Sequence, residues 1–308
     1  ESSDNLFVCK SNNVYGAINT KGEVVIPFTY TKLGNFKNNF AYYLSNKYGL
    51  VDIYNSALQA QWDWISDVDT NSIVVVKQKN QFGLMNIHEQ IILPVEYDYI
   101  APNQNEIYLV VKNNLYGFYN SKEKCFVTSI DYDYNPAFPT SYYTNGKYFK
   151  LIQDDEVALV DANGRYSINF GTYTNLFFAK CDIIRIQKNN KYGYVDRKLK
   201  AVTAVEFEEA QDFKNDLAIV SKKGTSQLIN IQGKSIFTLK DGDITDDLNG
   251  SLYRTSFNEL MGLINGKGEV LLNTEYNVID PITSYLFYCK KTDGTFLYNS
   301  NTKILKKL

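Results

Sequence analysis

Short apolar runs recur along the chain, and a polar turn follows each of them. LFVCK begins at Leu6, AYYLS at Ala41, SIVVVK at Ser72, IYLVVK at Ile107 and YFKLI at Tyr148. IIRIQK begins at Ile183, LAIVSK at Leu217, SLYRTS at Ser251 and LFYCKK at Leu286. These runs are too short for helices and rich in β-branched and aromatic residues, which favour a pleated, half-buried surface. No long stretch places apolar residues at helical spacing, so helix should be scarce.

Each run leads, through turns such as KNN, SNK and KNNK, into a second short strand with a recurring ring–Gly step. YGAIN starts at Tyr15, YGLVD at Tyr48, FGLMN at Phe82, YGFYN at Tyr116, YGYVD at Tyr192 and the degenerate MGLIN at Met261. VALVD at Val157, QLIN at Gln227 and FLYN at Phe296 keep only the tail of the pattern. The anchors at 15, 48, 82, 116, 157, 192, 227, 261 and 296 are spaced by 33, 34, 34, 41, 35, 35, 34 and 35 residues. Such a fixed period marks a solenoid, a propeller or a related array.

A third strand closes each repeat: EVVIPF, LQAQW, IILPVEY, CFVTSI, YSINF, AVTAVEF, SIFTL, EVLLNTEY and KILKKL. The intervening turns, such as NTKGE, DANGR, NIQGK and NGKGE, carry Gly and Asn because tight reversals need φ > 0. A connector then opens on an aromatic at a steady offset. Tyr30, Tyr97, Phe207 and Tyr276 lie 15 residues after their anchors, Trp62 lies 14 and Tyr132 lies 16. That ring should pack between neighbouring repeats. Pro27 and Pro94 precede it, where a missing N–H suits a strand end. The Gly after each anchor ring should mark a place where another backbone or ring comes close.

The step aromatic-Gly-x-[IV]-[DN]-x-x-Gly-x-x-[IV]-[IV]-Pro-x-x-Tyr, seen in YGAINTKGEVVIPFTY from Tyr15, resembles the WG (KWG) repeat family. FGLMNIHEQIILPVEYDY, from Phe82, follows it as well. The family's Trp is replaced here by Tyr15, Tyr48, Phe82, Tyr116 and Tyr192. The resemblance implies a mainly bacterial repeat scaffold, and it brings no shared catalytic residue.

These patterns predict an all-β fold, with residues 1–308 forming a single tandem array of nine three-stranded antiparallel units. The expected form is an open, twisted, β-solenoid-like superhelix, with a closed β-propeller as the alternative. Propellers typically have about 4–8 blades of four strands, so nine three-stranded units favour the open form. The tail KILKKL reads as a polar cap, and ESSDN at the other end as a disordered start.

Composition narrows the function. The 308 residues carry 32 basic and 34 acidic side chains, net charge −2, so no dominant field draws in nucleic acid or an anionic membrane. No run of about 18 apolar residues suits a transmembrane helix. The start at ESSDN, without Met, favours an exported protein whose leader has been removed or lies upstream. Cys9, Cys125, Cys181 and Cys289 form no CxxC pair and match no zinc spacing; Cys9 and Cys289 read as buried free thiols in strands.

Candidate chemistry is sparse. His88, the only histidine, lies in the turn MNIHEQ and reads as an exposed turn residue rather than a base. Asp52, Asp161 and Asp196 end second strands, where Asp begins a turn. Asp67, Asp69 and Asn71 space oxygens like an EF-hand loop, but Ser72 and Gln78 stand where Gly and Glu are needed. The acidic cluster Asp241, Asp243, Asp246 and Asp247 reads as a solvated connector. No glycine-rich phosphate loop is present. No catalytic, cofactor-binding or metal site is therefore assigned.

The aromatic connectors are the candidate binding surface. Trp62 with Trp64, Tyr97 with Tyr99, and Tyr132 with Tyr134 are i, i+2 pairs, which share one face of an extended strand. They could form an exposed stripe or fill core between repeats, and burial of all six rings would exclude the stripe. The leading function is a non-catalytic scaffold for protein–protein interaction at the bacterial cell envelope, in the periplasm or at the surface. The alternative is carbohydrate binding through the aromatic connectors. A glycan hydrolase with two carboxylates roughly 5–10 Å apart is a third reading.

Overall fold

The computed structural model describes residues 6–102, 106–179, 182–248 and 251–308. The start ESSDN and Cys181 lie outside the described residues. Among the described residues the chain forms nine small antiparallel sheets, one per repeat, and one four-residue helix, Thr140–Tyr143. No helix among them is long and apolar enough to cross a membrane.

The hairpin inside each repeat follows from turn chemistry. In repeat one, Leu6–Ser11 pairs with Val14–Asn19 across Asn12 and Asn13, whose φ angles are 46° and 65°. Two successive left-handed residues make the turn that matches strand twist, and Asn tolerates them. Asn113-Asn114 and Asn189-Asn190 do the same. Every second strand then ends at or just before an Asn or Asp whose side chain accepts the backbone N–H two residues on. Examples are Asn19 from Lys21, Asp52 from Tyr54, Asp161 from Asn163 and Asp196 from Lys198. The carboxylates at Asp52, Asp161 and Asp196 are therefore committed to turns.

The three-stranded expectation needs correction. Five sheets have four strands, because the connector itself adds a short first strand. Trp64–Ile65 pairs with Ile73–Gln78, and Tyr99–Ile100 with Ile107–Lys112. Conversely, the expected third strands LQAQW and AVTAVEF are reduced to isolated bridges, Tyr48↔Trp62 with Val51↔Ala57, and Tyr192↔Phe207 with Val195↔Ala201.

The ring–Gly step has a clear physical cause. In repeat one Tyr15 pairs with Tyr30 and Ala17 with Ile26, so two residues face four and the third strand bulges at Gly16. A Cβ there would lie 2.6 Å from the Ile26 carbonyl oxygen. Phe82↔Tyr97 followed by Leu84↔Leu93 repeats the bulge at Gly83, and Met261↔Tyr276 followed by Leu263↔Leu272 repeats it at Gly262. Pro27 and Pro94 sit inside these strands, within the bulge, rather than at a strand end. Repeats seven and nine run regularly past the same point. There the pairing puts Gln227 and Phe296 at the Gly position, with Ser226 and Thr295 at the ring position.

The core lies between successive sheets. One cluster joins Ala17 and Ile26 of repeat one to Tyr43 and Val51 of repeat two. Another joins Val75 and Leu84 of repeat three to Tyr108 and Tyr119 of repeat four. Leu263 and Tyr276 of repeat eight meet Phe287 and Tyr298 of repeat nine in a third. The chain divides into two compact units within repeat five: residues 1–154 with 159–166, and residues 155–158 with 167–308. The strand Ile304–Lys307 is exposed along its length, and its exposed side chains include Ile304 and Leu305 as well as lysines.

Candidate functional site

The steady offset of the connector aromatics is a pairing rule. Tyr30, Trp62, Tyr97, Tyr132, Phe207 and Tyr276 each stand opposite the anchor residue of their own repeat. Two residues further on, the chain has crossed to the first strand of the next repeat. Trp64 there pairs with Lys77, and Lys77 pairs with Phe82. Tyr99 pairs with Val111, and Val111 with Tyr116. Tyr134 lies outside a strand but is tied by its N–H to the Asn114 carbonyl at 3.0 Å.

The six predicted rings divide by burial. Trp62 and Tyr97 are buried and belong to the core, whereas Trp64, Tyr99, Tyr132 and Tyr134 are half-buried. The half-buried rings connect through others that sequence reasoning had placed only as anchors. Trp64 meets Phe82 edge-on at 6.3 Å between centroids, and Phe82 meets Tyr99 at 5.8 Å. Tyr99 stacks on Tyr134 at 6.5 Å, and Tyr134 on Tyr143 at 5.7 Å. These are the offset and edge-to-face arrangements that ring quadrupoles favour. Burial raises the pKa of the Tyr97, Tyr132 and Tyr134 hydroxyls, that of Tyr132 to about 12, so these phenols are neutral at physiological pH.

Beside this row lies a cleft of about 550 Å³ lined by Asp63, Trp64, Lys77, Asn80, Phe82 and Tyr99. The Lys77 ammonium sits 5.1 Å from the centre of the Phe82 ring. Asp63 accepts the Lys79 backbone N–H at 2.8 Å and forms an ion pair with Lys47. The hydrogen bond from Lys47 is the main reason its carboxyl sits below the usual carboxylate range. Asp63, Lys77, Asn80 and Phe82 were not singled out in the sequence as cleft residues. The signal that finds them is the register Trp64–Lys77–Phe82, which needs the short connector strand.

His88 is exposed in its turn, with its N–H bonded to the Asn86 side chain. Asp69 is buried and accepts the N–H groups of Asn71 and Ile73 and the Tyr108 hydroxyl. Asp241 and Asp243 rim a separate cleft, while the side chains of Asp246 and Asp247 lie outside the described residues. Among the described residues no group of three His, Cys, Asp or Glu side chains is arranged to hold a metal. Cys289 is buried, and burial pushes its thiol up to about 11; Cys9 is only half-buried and Cys125 is exposed.

A family model described as the WG containing repeat matches residues 15–48, 82–116 and 192–225. No curated protein matches the sequence. Among solved structures, the chain is similar to Hsv2p of Kluyveromyces lactis at 12% identity, covering 78% of this chain and 96% of that one, with a TM-score of 0.35. It is similar to a eukaryotic initiation factor at 7% identity, covering 96% and 93%, with a TM-score of 0.40. A third likeness, at 11% identity and covering 98% and 72%, is to the dihydro-heme d1 dehydrogenase NirN, with a TM-score of 0.30.

Proposed function

We propose, from the premise that this chain is built from WG repeats in three of its segments, that it is a non-catalytic binding module of the bacterial cell envelope. It holds its partner on the row of rings contributed by repeats three to five. The observation carrying this reading is the position two residues after the connector ring, which is aromatic at Trp64, Tyr99 and Tyr134. Strand pairing puts Lys32, Asn175, Glu209, Asp243 and Val278 at the same place elsewhere. A position that accepts Lys, Asn, Glu, Asp and Val is not one that packing reserves for an aromatic. Three adjacent, only partly buried rings there form an apolar strip, and such strips serve recognition.

The site offers binding rather than turnover. In the cleft, the carboxylate of Asp63 is already held by Lys47 and the Lys79 N–H, and the ammonium of Lys77 faces a ring. The bacterial source follows the distribution that the WG resemblance implies, and the envelope location is part of the proposal.

The test is co-sedimentation with envelope fragments of the source bacterium. The wild-type chain should sediment, and Trp64→Ala with Tyr99→Ala together should leave it in solution. Tyr54→Ala, which removes an exposed ring outside the row, should change nothing. Equal sedimentation of the double variant and the wild type refutes the assignment of the face. Release of soluble fragments from the envelope material refutes the non-catalytic reading.

A further inference from the structure

We infer that the cleft beside Trp64, Phe82 and Tyr99 is a sugar subsite and that its ligand is an uncharged pyranose chain; this rests on the ring row being the binding face. The cleft volume of about 550 Å³ lies within the range of small-ligand sites. Its walls combine two kinds of surface that a sugar ring needs together. One kind is the aromatic rings of Trp64, Phe82 and Tyr99, whose negative faces attract the slightly positive C–H groups on the flat side of a pyranose. The other is polar groups of both senses at the ring edges. Asp63 accepts, Lys77 donates and Asn80 does both. Each sugar hydroxyl also donates and accepts, so it can satisfy either kind of partner.

Asp63 is the discriminating group. A carboxylate offers about four lone-pair sites, and here one contact on each oxygen is used, by Lys47 and by the Lys79 N–H. A ligand that covers the cleft must donate hydrogen bonds to what remains, or leave a desolvated charge. Hydroxyls donate. A proline-rich peptide, the other usual occupant of an aromatic groove, has no N–H at its prolines to offer. An extended peptide added as a strand would need a long free edge, and the edge strand here, Trp64–Ile65, is two residues long. A polyanion would meet the Asp63 carboxylate, whose own ion pair is with Lys47, and among the cleft's lining residues Lys77 is the cation left to answer it. Tyr134, 6.5 Å from Tyr99 and outside the cleft lining, continues the ring row beyond the cleft, so a chain of sugars fits better than one.

The chain has two tryptophans, and Trp62 is buried in the core, so stacking on Trp64 perturbs the fluorescence of one of the two. The full chain is titrated with cellohexaose, xylohexaose, mannohexaose, maltohexaose and chitohexaose, and in parallel with hexagalacturonate and a polyproline decapeptide. Affinities are read by calorimetry, and the fold of each variant by circular dichroism. At least one neutral hexasaccharide should bind with a dissociation constant below a millimolar and shift the tryptophan emission. Trp64→Ala and Tyr99→Ala should each weaken it about tenfold or more, Trp64→Phe should keep most of it, and Tyr54→Ala all of it. Failure of every neutral hexasaccharide overturns the inference, as does tighter binding of hexagalacturonate. Polyproline binding in place of the sugars, abolished by Trp64→Ala, overturns the sugar assignment while leaving the ring row as the binding face. Sugar binding indifferent to both alanine variants removes this cleft as the subsite.

Discussion

Gly117 shows what the recurring ring–Gly step protects. A Cβ at this position would lie 2.4 Å from the Ser129 carbonyl oxygen, which is backbone and cannot swing aside. Gly117→Ala should therefore cost about 2–3 kcal/mol in urea denaturation, as forced overpacking does. Gly22→Ala is the contrast. Gly22 has φ of +80° but open space around it, so only the left-handed backbone is penalised, by about 1 kcal/mol. If the two variants melt together, close approach is not the reason for the glycine. That some neighbour comes close was legible in the sequence, because one small residue recurred where bulk would be expected. The identity of that neighbour was not, because it depends on a two-residue bulge in the opposing strand. Lys150 was less legible still, since YFKLI reads as an ordinary alternating strand. Its side chain is fully buried, with Nζ 3.1 Å from the centre of the Tyr142 ring, and burial pulls its pKa down from 10.5 to about 7. A folded-state pKa below the unfolded one means that the unfolded chain binds more protons between the two values. Stability should therefore rise with pH from about 7 toward 10.5 on this account. Lys150→Met should be more stable than wild type near neutral pH and below, by a few kcal/mol. That advantage should shrink as the pH approaches 9 to 10, about where other phenols and lysines begin to titrate. A constant gap across the range would show that the ammonium is not held in a dry site.

At the scale of elements, the first and second strands of every repeat were readable because they combine apolar runs with Asn-rich turns, and the structure places hairpins at all of them. Connector strands such as Trp64–Ile65 were not, since two residues carry no periodicity and their pairing is dictated by the neighbouring hairpin. The same limit hid the cleft: Lys77 looks like an ordinary strand end and Asn80 like a turn residue until Trp64 is set opposite Lys77. LQAQW and AVTAVEF erred in the other direction: they still hydrogen-bond to the second strand, through the Leu58, Gln61, Val202 and Glu206 N–H groups, but without a continuous ladder. Their reduction to isolated bridges has a dynamic consequence. Amides of Gln59 and Ala60, and of Ala204 and Val205, which lie between the bridges, should exchange with solvent at least about tenfold faster than those of Ile91–Tyr97 and Val270–Tyr276, a difference of roughly 1.4 kcal/mol in opening free energy. Equal protection across the four segments would mean that the bridged stretches are held by contacts other than a ladder.

For the whole molecule, the decisive feature is that each core cluster is shared by consecutive repeats. Apolar burial drives folding, but here it is parcelled into local interfaces, such as Val75 with Tyr108 or Leu263 with Phe287. Stability in such a chain is close to a sum over repeats and their nearest-neighbour contacts, so a lesion should be felt near where it is made. Period and turn chemistry made this much readable in advance. The division within repeat five was hinted at only by the one 41-residue interval between anchors. Both tryptophans fall in the first compact unit, while Gly262 lies in the second, with the Leu272 carbonyl oxygen 2.8 Å from where a Cβ would sit. Gly262→Ala should therefore move part of the urea transition followed by far-ultraviolet circular dichroism to lower concentration, yet leave the tryptophan fluorescence transition in place. Probes that separate in this way indicate unfolding in more than one step. Coincident shifts of both signals would mean that the nine sheets melt as one cooperative body, and local interfaces between repeats could not then account for the stability of the chain.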